Sequence, residues 1–488
     1  MNIDKVKVFS GLFWSYGERI TAQCVSFLVS IVLARLIMPE DYGIIALVTI
    51  FISLANTFVM DGFGSALIQK KEADQIDFCS IFYFSEILSI LLYVLIYLLA
   101  PYVSIYFKIP KLSSVMRVMG LRIPLSAINS VQRAVVSRKM EFKKFFFSTF
   151  IGTSISAVTG VALAFMGAGV WALVAQYLLN SFVDTIVLFF TAGWRPEIKF
   201  SLSRLKPLVS YGSKILFVAL MINVYTNLRN FIIGRKFSPK DLAYSNKGEQ
   251  FPNLITVNIN YSITSVIFPV LSQQQNNREN VLNMTRRAIK TGTFLLAPML
   301  LGLAAVSEKV ILLLLTEKWI MCVPYMRVMC VVYLLQPIQT SSLQAMKAVG
   351  EERVYAKLEI VKKIVGLAIL FTSVYFFQSV IAILIGTLVG EIVVTIMNMP
   401  VNFKLFEYKI DLQLKDIFLP LTAACIMSIS VYAIDRILCD LFWLPVEIML
   451  GITIYVILAV VMKIDSLVYI QEIISEFTKR RRRNDTIS

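Results

Sequence analysis

The sequence contains no histidine and few charged residues. Of its 488 residues, 16% are charged and 57% are apolar, whereas soluble domains contain about 25% charged residues. Without histidine, the chain lacks the commonest general base and metal ligand. It also lacks the phosphate-binding pattern GxxxxGK(S/T) and the dinucleotide-binding pattern GxGxxG. These absences argue against ATP hydrolysis by the chain itself, and they predict no cofactor, no metal site and no catalytic residues.

Cysteine is scarce and irregularly spaced. The six cysteines lie in or beside apolar runs, at positions 24, 79, 322, 330, 425 and 439. This spacing fits neither a disulfide framework nor a zinc site. We interpret these cysteines as small apolar residues.

Long apolar segments dominate the chain and predict an integral membrane protein, because about 20 apolar residues suffice for one membrane-spanning helix. Strands are improbable, since the segments lack the alternation of a membrane barrel. The sequence predicts an all-α fold of about fourteen transmembrane helices. The segments are 9–34, 42–67, 79–107, 112–136, 145–167, 169–193, 207–233, 242–271, 288–315, 321–346, 355–376, 378–402, 417–439 and 442–462.

The net charge of +16 could suggest a nucleic-acid partner, but the basic residues form short clusters between apolar runs. Lys and Arg concentrate in alternate connections, on the side that holds the N-terminus. Cytoplasmic loops carry such an excess, so both termini are expected in the cytoplasm. The basic segment 479–483 is interpreted as a further cytoplasmic retention signal, with binding to anionic lipid as the alternative. No nucleic-acid partner is expected.

A weak internal repeat relates the first and seventh predicted helices. Ser-Tyr-Gly occurs at 15–17 and again at 210–212, and Arg-x-x-x-Pro-x-Asp occurs at 35–41 and again at 235–241. The repeat predicts an N-terminal lobe of six helices at 1–206 and a second lobe of six at 207–403. Residues 404–488 would add helices 13 and 14 and the basic tail. Transporters often have such repeats, with the substrate site between them.

Polar residues form stripes along several predicted helices, and ionisable groups inside a membrane usually face the bundle interior or a watery cavity. The fourth predicted segment, 112–136, carries Arg122, Asn129 and Arg133 on one face of its helix. The predicted cavity residues are Arg19, Arg122, Asn129, Arg133, Asn223, Asn227, Asn246, Asn253, Asn260 and Gln336. Alternatively, these side chains join helices through hydrogen bonds and line no cavity.

Coupling to protons or sodium would require a buried carboxylate. The sequence offers Glu18, Asp61, Glu249, Glu359 and Glu391, and also Glu86 and Asp184. The sequence does not rank them, and Asp61 has the alternative role of capping the turn at Gly62.

Six short strings resemble a known family. They are RLIMPEDYG at 35–43, DGFGSALIQ at 61–69, WRP at 194–196, FPVLS at 268–272, EKW at 317–319 and KLEI at 357–360. Together they resemble the polysaccharide transporter family of the multidrug/oligosaccharidyl-lipid/polysaccharide exporter superfamily. This family contains the Wzx-type flippases of O-antigen, capsule and exopolysaccharide assembly.

The resemblance implies a flippase in the bacterial cytoplasmic membrane. Its substrate would be an undecaprenyl-pyrophosphate-linked oligosaccharide, moved from the inner to the outer leaflet by alternating access, with arginines binding the pyrophosphate and amides the sugar. Its surroundings would include membrane lipids and the machinery of polysaccharide polymerisation and chain-length control. Two alternatives stay open: a cation-coupled multidrug exporter of the same fold, and a membrane glycan polymerase or ligase. The short outward connections and the missing histidine disfavour an enzyme.

Overall fold

The computed structural model describes residues 5–274, 277–438, 440–469 and 471–472. The basic segment 479–483 lies outside the described residues. The chain folds into two compact units, Met1–Ala243 and Tyr244–Ser488. Throughout the described ranges it forms helices and connections without a strand, which confirms the all-α prediction. The lobe boundaries after residues 206 and 403 stay a prediction.

Over its described residues, from position 5 onward, the first unit contains nine helices and the start of a tenth. They are α1 (Lys5–Leu36), α2 (Pro39–Met60), α3 (Phe63–Gln69), α4 (Gln75–Phe107), α5 (Pro110–Met119), α6 (Arg122–Lys139), α7 (Lys143–Phe165), α8 (Val170–Thr191), α9 (Leu202–Lys236) and α10 (Pro239–Gln273). The repeat is visible in this order, because α1 and α9 both end just after an arginine and the next helix then begins at a proline. Proline suits a first helical position, since its missing N–H has no partner there.

In its described part, the second unit continues through α10 into eight further α-helices. They are α11 (Arg278–Ala305), α12 (Ser307–Leu314), α13 (Val323–Tyr333), α14 (Gln336–Ala348), α15 (Glu352–Phe376), α16 (Val380–Phe406), α17 (Ile410–Ile437) and α18 (Leu444–Val461). Short 3-10 helices at Glu317–Cys322 and Leu441–Trp443 precede α13 and α18.

All fourteen predicted segments overlap helices, but several are broken. The segment 112–136 is divided between α5 and α6 just before Pro124, and the segment 321–346 is divided between α13 and α14 just before Pro337. Proline cannot donate the backbone hydrogen bond that would continue the preceding helix. The breaks therefore follow from the sequence, although apolar run length alone does not reveal them.

The expected number of fourteen spans is not confirmed. Among the described residues, eleven helical segments are long and apolar enough to cross a membrane. The predicted segments 112–136, 242–271 and 355–376 are helical but are not among the eleven. They correspond to α5–α6, α10 and α15, which carry many of the polar and charged side chains singled out above. These polar and charged side chains lower the mean hydropathy of the three segments, which explains why they are not among the eleven.

Large apolar side chains are exposed on the outside of the helices, and some small polar side chains are buried between helices. On α4, Leu91, Leu98 and Ile105 are 61%, 60% and 74% exposed, whereas Ser85 and Ser89 are fully buried. Small polar residues let membrane helices pack closely, and a large exposed apolar surface suits contact with lipid. The pattern confirms a multi-pass membrane protein.

The connection after α8 is fastened to the start of α4. Trp194 Nε1 donates a hydrogen bond to Gln75 Oε1 at 2.6 Å, and Arg204 pairs with Asp74. The amide of Asp77 donates to Asp74 at 3.1 Å, and this bond together with Arg204 lowers the pKa of Asp74 from its ordinary value of 3.8. The tryptophan of the WRP string is therefore part of the packing.

In the second unit, α17 and α18 are tied to α11 and α12 by buried ion pairs. Lys309 Nζ lies 2.5 Å from Glu447 Oε1 and 3.1 Å from Asp435 Oδ1, and Glu447 is fully buried. Nearer the start of α11, Arg286 donates to both carboxylate oxygens of Asp416 at 2.7 and 3.0 Å. The last two helices are thereby held to the rest of the second unit.

Candidate functional site

The predicted polar face of α6 exists and faces α8. Arg122 Nε donates to Ser181 Oγ at 3.0 Å, and Asn129 Nδ2 donates to Asp184 Oδ2 at 2.6 Å. Arg133 Nη2 donates to the same oxygen of Asp184 at 3.2 Å. The angular spacing read from the sequence is therefore correct, and three predicted cavity residues share one helix face with partners on a single neighbouring helix.

Asp184 is the centre of this arrangement. Its side chain is 12% exposed, its Oδ2 accepts from α6, and its Oδ1 accepts from Ser148 Oγ on α7. Gly152 allows this approach, because a Cβ at that position would lie 3.3 Å from the Asp184 nitrogen. Three helices thus meet at one carboxylate.

The two arginines of α6 have different electrostatic surroundings. Arg133 is paired with a carboxylate, and its side chain is 35% exposed. Arg122 instead contacts the neutral Ser181 and lies with its Cζ 5.2 Å from the centre of the Tyr177 ring. In the part of the chain that the structure describes, no carboxylate lies within ion-pair distance of Arg122. The charge of Arg122 is the less compensated of the two.

On α1, the predicted residues Glu18 and Arg19 are both half-buried. Thr149 Oγ1 on α7 donates to Glu18 Oε1 at 2.9 Å. Asp61 is exposed and follows the last residue of α2, where its backbone N–H donates to the Thr57 carbonyl. The capping role that the sequence offered as an alternative for Asp61 stays a prediction.

The two predicted cavity asparagines of α9, Asn223 and Asn227, bond to α2. Asn223 Nδ2 donates to Thr57 Oγ1 at 2.9 Å, and Ser53 Oγ donates to Asn223 Oδ1 at 3.3 Å. Asn227 Nδ2 donates to Asn223 Oδ1 at 2.7 Å. The bonds of Asn223 to α2 are interhelical, as the alternative interpretation of the stripe predicts, whereas the bond between the two asparagines lies within α9.

The amides of α10 fall into two groups. Asn260 Nδ2 donates to Gln336 Oε1 of α14 at 3.3 Å, which joins two predicted cavity residues. Asn253 is exposed and Asn246 is half-buried. Asn253 is therefore the amide of this stripe that is most open to its surroundings.

The predicted carboxylates of the second unit all have polar partners. Tyr333 OH donates to Glu249 Oε1 at 2.8 Å, and Gln339 Nε2 donates to Glu391 Oε2 at 2.8 Å. Glu359 pairs with Lys362 one turn along α15, at 3.0 Å. These contacts do not select one of the carboxylates as a coupling site.

The residues that form these hydrogen bonds with the predicted cavity and coupling residues were not predicted from the sequence. They are Ser53, Thr57, Ser148, Ser181, Tyr333 and Gln339. One signal was available, because Tyr333 and Gln339 lie three residues on either side of the predicted Gln336. The hydroxyl partners gave no signal, since serine and threonine occur throughout the apolar runs.

Comparison with known proteins identifies relatives of this chain. The family model described as "Polysaccharide biosynthesis protein" matches residues 32–324. The succinoglycan biosynthesis transport protein ExoT of Rhizobium meliloti (strain 1021) is 26% identical over 311 residues, which are 63% of this chain. The match spans only 62% of the length of ExoT. The lipopolysaccharide biosynthesis protein WzxC of Escherichia coli (strain K12) is 24% identical over 398 residues, covering 80% of this chain and 79% of WzxC.

Solved structures show which fold the chain shares. The lipid II flippase MurJ in an inward closed conformation matches with a TM-score of 0.74 at 16% identity, over 93% of this chain and all of MurJ. An inward-facing multidrug resistance MATE family transporter of the MOP superfamily matches with a TM-score of 0.60 at 16% identity, over 79% of this chain and 96% of that one. At these identities the likeness concerns the fold alone. The chain belongs to the polysaccharide biosynthesis protein family, and its fold is that of the MurJ and MATE transporters.

Proposed function

We propose that this protein is a flippase for undecaprenyl-pyrophosphate-linked oligosaccharide repeat units. It moves them by alternating access from the cytoplasmic to the outer leaflet of the bacterial cytoplasmic membrane, for assembly of a surface polysaccharide. The observation that carries the proposal is the cationic and amide face of α6, set within a helical unit whose outer surface is apolar. A substrate with a charged head group and a lipid tail requires both surfaces.

The chemistry of the face matches the substrate. Guanidinium groups keep their charge at any working pH and bind phosphate oxygens through a planar fork. Arg122 is held by a hydroxyl and an aromatic ring, which leaves its charge for an anion. The exposed Asn253 offers a donor and an acceptor to sugar hydroxyls. The lipid tail stays in the bilayer beside the apolar surface.

The relatives support this substrate class. ExoT, WzxC and the teichuronic acid biosynthesis protein TuaB of Bacillus subtilis (strain 168) are all named for the biosynthesis of polysaccharides or related surface polymers, and ExoT is named as a transport protein. The name of ExoT is consistent with our proposal that this chain is a transporter. The polymerase and the chain-length machinery that use such repeat units are the partners we propose.

The same fold also supports a second candidate, a cation-coupled multidrug exporter, because the MATE transporter shares it. A cavity for cationic drugs favours acidic and aromatic linings. The α6 face instead presents two arginines: Arg133 is paired with a carboxylate, whereas no described carboxylate lies within ion-pair distance of Arg122. This charge pattern favours the anionic lipid-linked substrate over the cationic drug.

The decisive experiment locates the lipid-linked oligosaccharide in the two leaflets. Cells that lack the protein, and the same cells after its return, are treated with a glycan-labelling reagent that does not cross the membrane. We expect unlabelled, inward-facing carrier to accumulate without the protein and to become labelled after complementation. Equal labelling in both strains contradicts the flippase.

A second assay then separates the alternatives. Drug sensitivity of the deletion strain, reversed on complementation, would favour the exporter. Extension or joining of glycan chains by the purified protein alone would favour the polymerase or ligase.

A further inference from the structure

Arg133 has two possible anionic partners, the carboxylate of Asp184 and the proposed substrate. The second of these rests on the proposed function, which gives the arginines of α6 an anionic substrate. We infer that the Asp184 carboxylate occupies Arg133 in the empty transporter as an internal stand-in for a substrate phosphate oxygen. The carboxylate thereby weakens anion binding at Arg133 and leaves Arg122 as the stronger anion site of the same helix face.

The geometry of the pair supports competition. Arg133 Nη2 lies 3.2 Å from Asp184 Oδ2, and the same oxygen accepts a shorter bond of 2.6 Å from Asn129. Arg133 therefore makes the longer of the two contacts, through one of its donors. Its side chain is 35% exposed, while that of Asp184 is 12% exposed. The arginine is the accessible partner, and the carboxylate is fixed behind it.

Asp184 is held in place by groups other than Arg133. Ser148 donates to its second oxygen, and Asn129 donates to its first. These two neutral donors fix the carboxylate whether or not the arginine contacts it. Arg133 can therefore turn to another anion without leaving Asp184 bare. The negative charge that remains beside a newly bound phosphate repels it.

Arg122 provides the contrast. It lies eleven residues earlier on the same helix, which corresponds to a rise of about 16 Å. One phosphate group therefore does not contact both arginines at once. Ser181 and Tyr177 hold Arg122 without opposing its charge. An anion at Arg122 meets a cation that is not already paired among the described residues.

A weak anion site beside a strong one has a use in a flippase. A pyrophosphate that bound equally tightly at two successive sites on one face would leave neither site readily. The carboxylate at Arg133 keeps the bound anion easy to displace. We assign Asp184 a positioning role, because it acts on the substrate through Arg133.

The test measures binding of radiolabelled inorganic pyrophosphate to the purified full-length chain in detergent. We expect Asp184→Asn to tighten binding at the Arg133 site about tenfold, so that a second pyrophosphate binds beside the one at Arg122, because the released charge-assisted hydrogen bond is worth about 1.4 kcal/mol. The increase in pyrophosphate affinity should disappear in the double variant Asp184→Asn with Arg133→Ala. Glu197→Gln is the matched control, since it neutralises a carboxylate in the exposed ion pair with Lys199, in the connection between α8 and α9, and it should bind like the parent protein.

The two arginine variants test the inference without changing Asp184. Arg122→Ala should lose most of the binding, whereas Arg133→Ala should change it less than threefold, because Arg133 is already occupied. Equal losses in the two variants overturn the inference, as does unchanged binding in Asp184→Asn. If Asp184→Asn does not accumulate, the comparison of the two arginine variants decides.

The outcome is separable from that of the proposed function. Absence of pyrophosphate binding in every variant contradicts the competition, while the leaflet assay in cells reports on flipping independently. Normal flipping combined with unchanged binding in Asp184→Asn removes only the role of Asp184.

Discussion

At the scale of single residues, the polar stripes combine two roles that are indistinguishable by spacing. Asn223 and Asn227 form hydrogen bonds with α2 and with each other, as residues that join helices do. Arg122 contacts the neutral Ser181 and Asn253 is exposed, so these two are the residues we propose for the substrate. The partner of each side chain, rather than its position in a stripe, separates structural from functional candidates.

Arg122→Ala should lower translocation strongly while the protein accumulates normally in the membrane. The substitution removes a charge that no described carboxylate balances, so the stability of the fold should change little. The substrate phosphate, however, loses the cation that binds it. Labelling of outward-facing lipid-linked oligosaccharide, normalised to the amount of protein, measures the effect. Arg133→Ala is expected to have the weaker effect on transport, because Asp184 already pairs with it. Normal transport in both variants would remove the arginines from the site.

Asn253→Leu should impair transport and leave stability unchanged. Asn253 is exposed on α10, and leucine is tolerated at a helix surface in a membrane. Asn260→Leu is the matched control on the same stripe, because it breaks the bond to Gln336. That loss should cost about 0.6 to 2 kcal/mol of stability. Thermal unfolding in detergent and the leaflet assay together distinguish the two variants, and a collapse of accumulation in Asn253→Leu would favour a helix-joining role.

At the scale of helices, close packing in the first unit depends on glycine at particular places. Gly212 of α9 and Gly62, just before α3, bring their backbones together, and a Cβ on Gly212 would lie 2.9 Å from the Gly62 carbonyl oxygen. Gly17, the counterpart of Gly212 in the repeat, meets nothing closer than the Phe146 ring at 3.9 Å. The repeat therefore preserves the residue but not its surroundings.

Gly212→Ala should destabilise the first unit by about 1 to 3 kcal/mol, as overpacking usually does. Gly17→Ala should be neutral or slightly stabilising, because its added methyl group finds ordinary space and alanine favours a helix. Melting temperatures of the two purified variants measure the difference. Equal effects at the two positions would contradict the close approach of α9.

The buried ion pairs of the second unit make a further prediction about helices. Lys309→Met leaves Glu447 and Asp435 without their cation, and Glu447 is fully buried. Breaking a buried pair in this way should cost about 3 to 5 kcal/mol. Lys199→Met removes the same kind of charge from an exposed pair with Glu197 and should leave the melting temperature unchanged. Equal stability of the two variants would show that α17 and α18 do not depend on Lys309.

At the scale of the whole molecule, the direction of transport depends on the orientation of the chain. The excess of Lys and Arg in alternate connections predicts a cytoplasmic N-terminus and C-terminus. A fluorescent protein fused to the C-terminus should therefore fluoresce. Alkaline phosphatase inserted at Gly167, in the connection between α7 and α8, should be active, because this connection is expected outside. The opposite result at both positions would reverse the orientation and the proposed direction of transport.

The sequence by itself determined the class of the protein and the location of its helices. Long apolar runs, scarce charge and the missing histidine sufficed, because the cost of exposing backbone polar groups to lipid leaves little choice but helices. The face shared by Arg122, Asn129 and Arg133 was also predictable, since helical periodicity is a local property. The helix breaks before Pro124 and Pro337 were implicit in the missing N–H of proline, although run length concealed them.

Only the tertiary structure decided which polar side chains are already occupied. Asp184 lies 51 residues from Arg133 and 36 from Ser148 along the chain, and their meeting depends on how α6, α7 and α8 pack. The pairing of Lys309 with Glu447 likewise spans 138 residues. A hydrogen bond or an ion pair forms over a few ångströms in space, and sequence periodicity carries no information about contacts between distant helices. For this reason the stripe was visible in the sequence, whereas the difference between Arg122 and Arg133 was not.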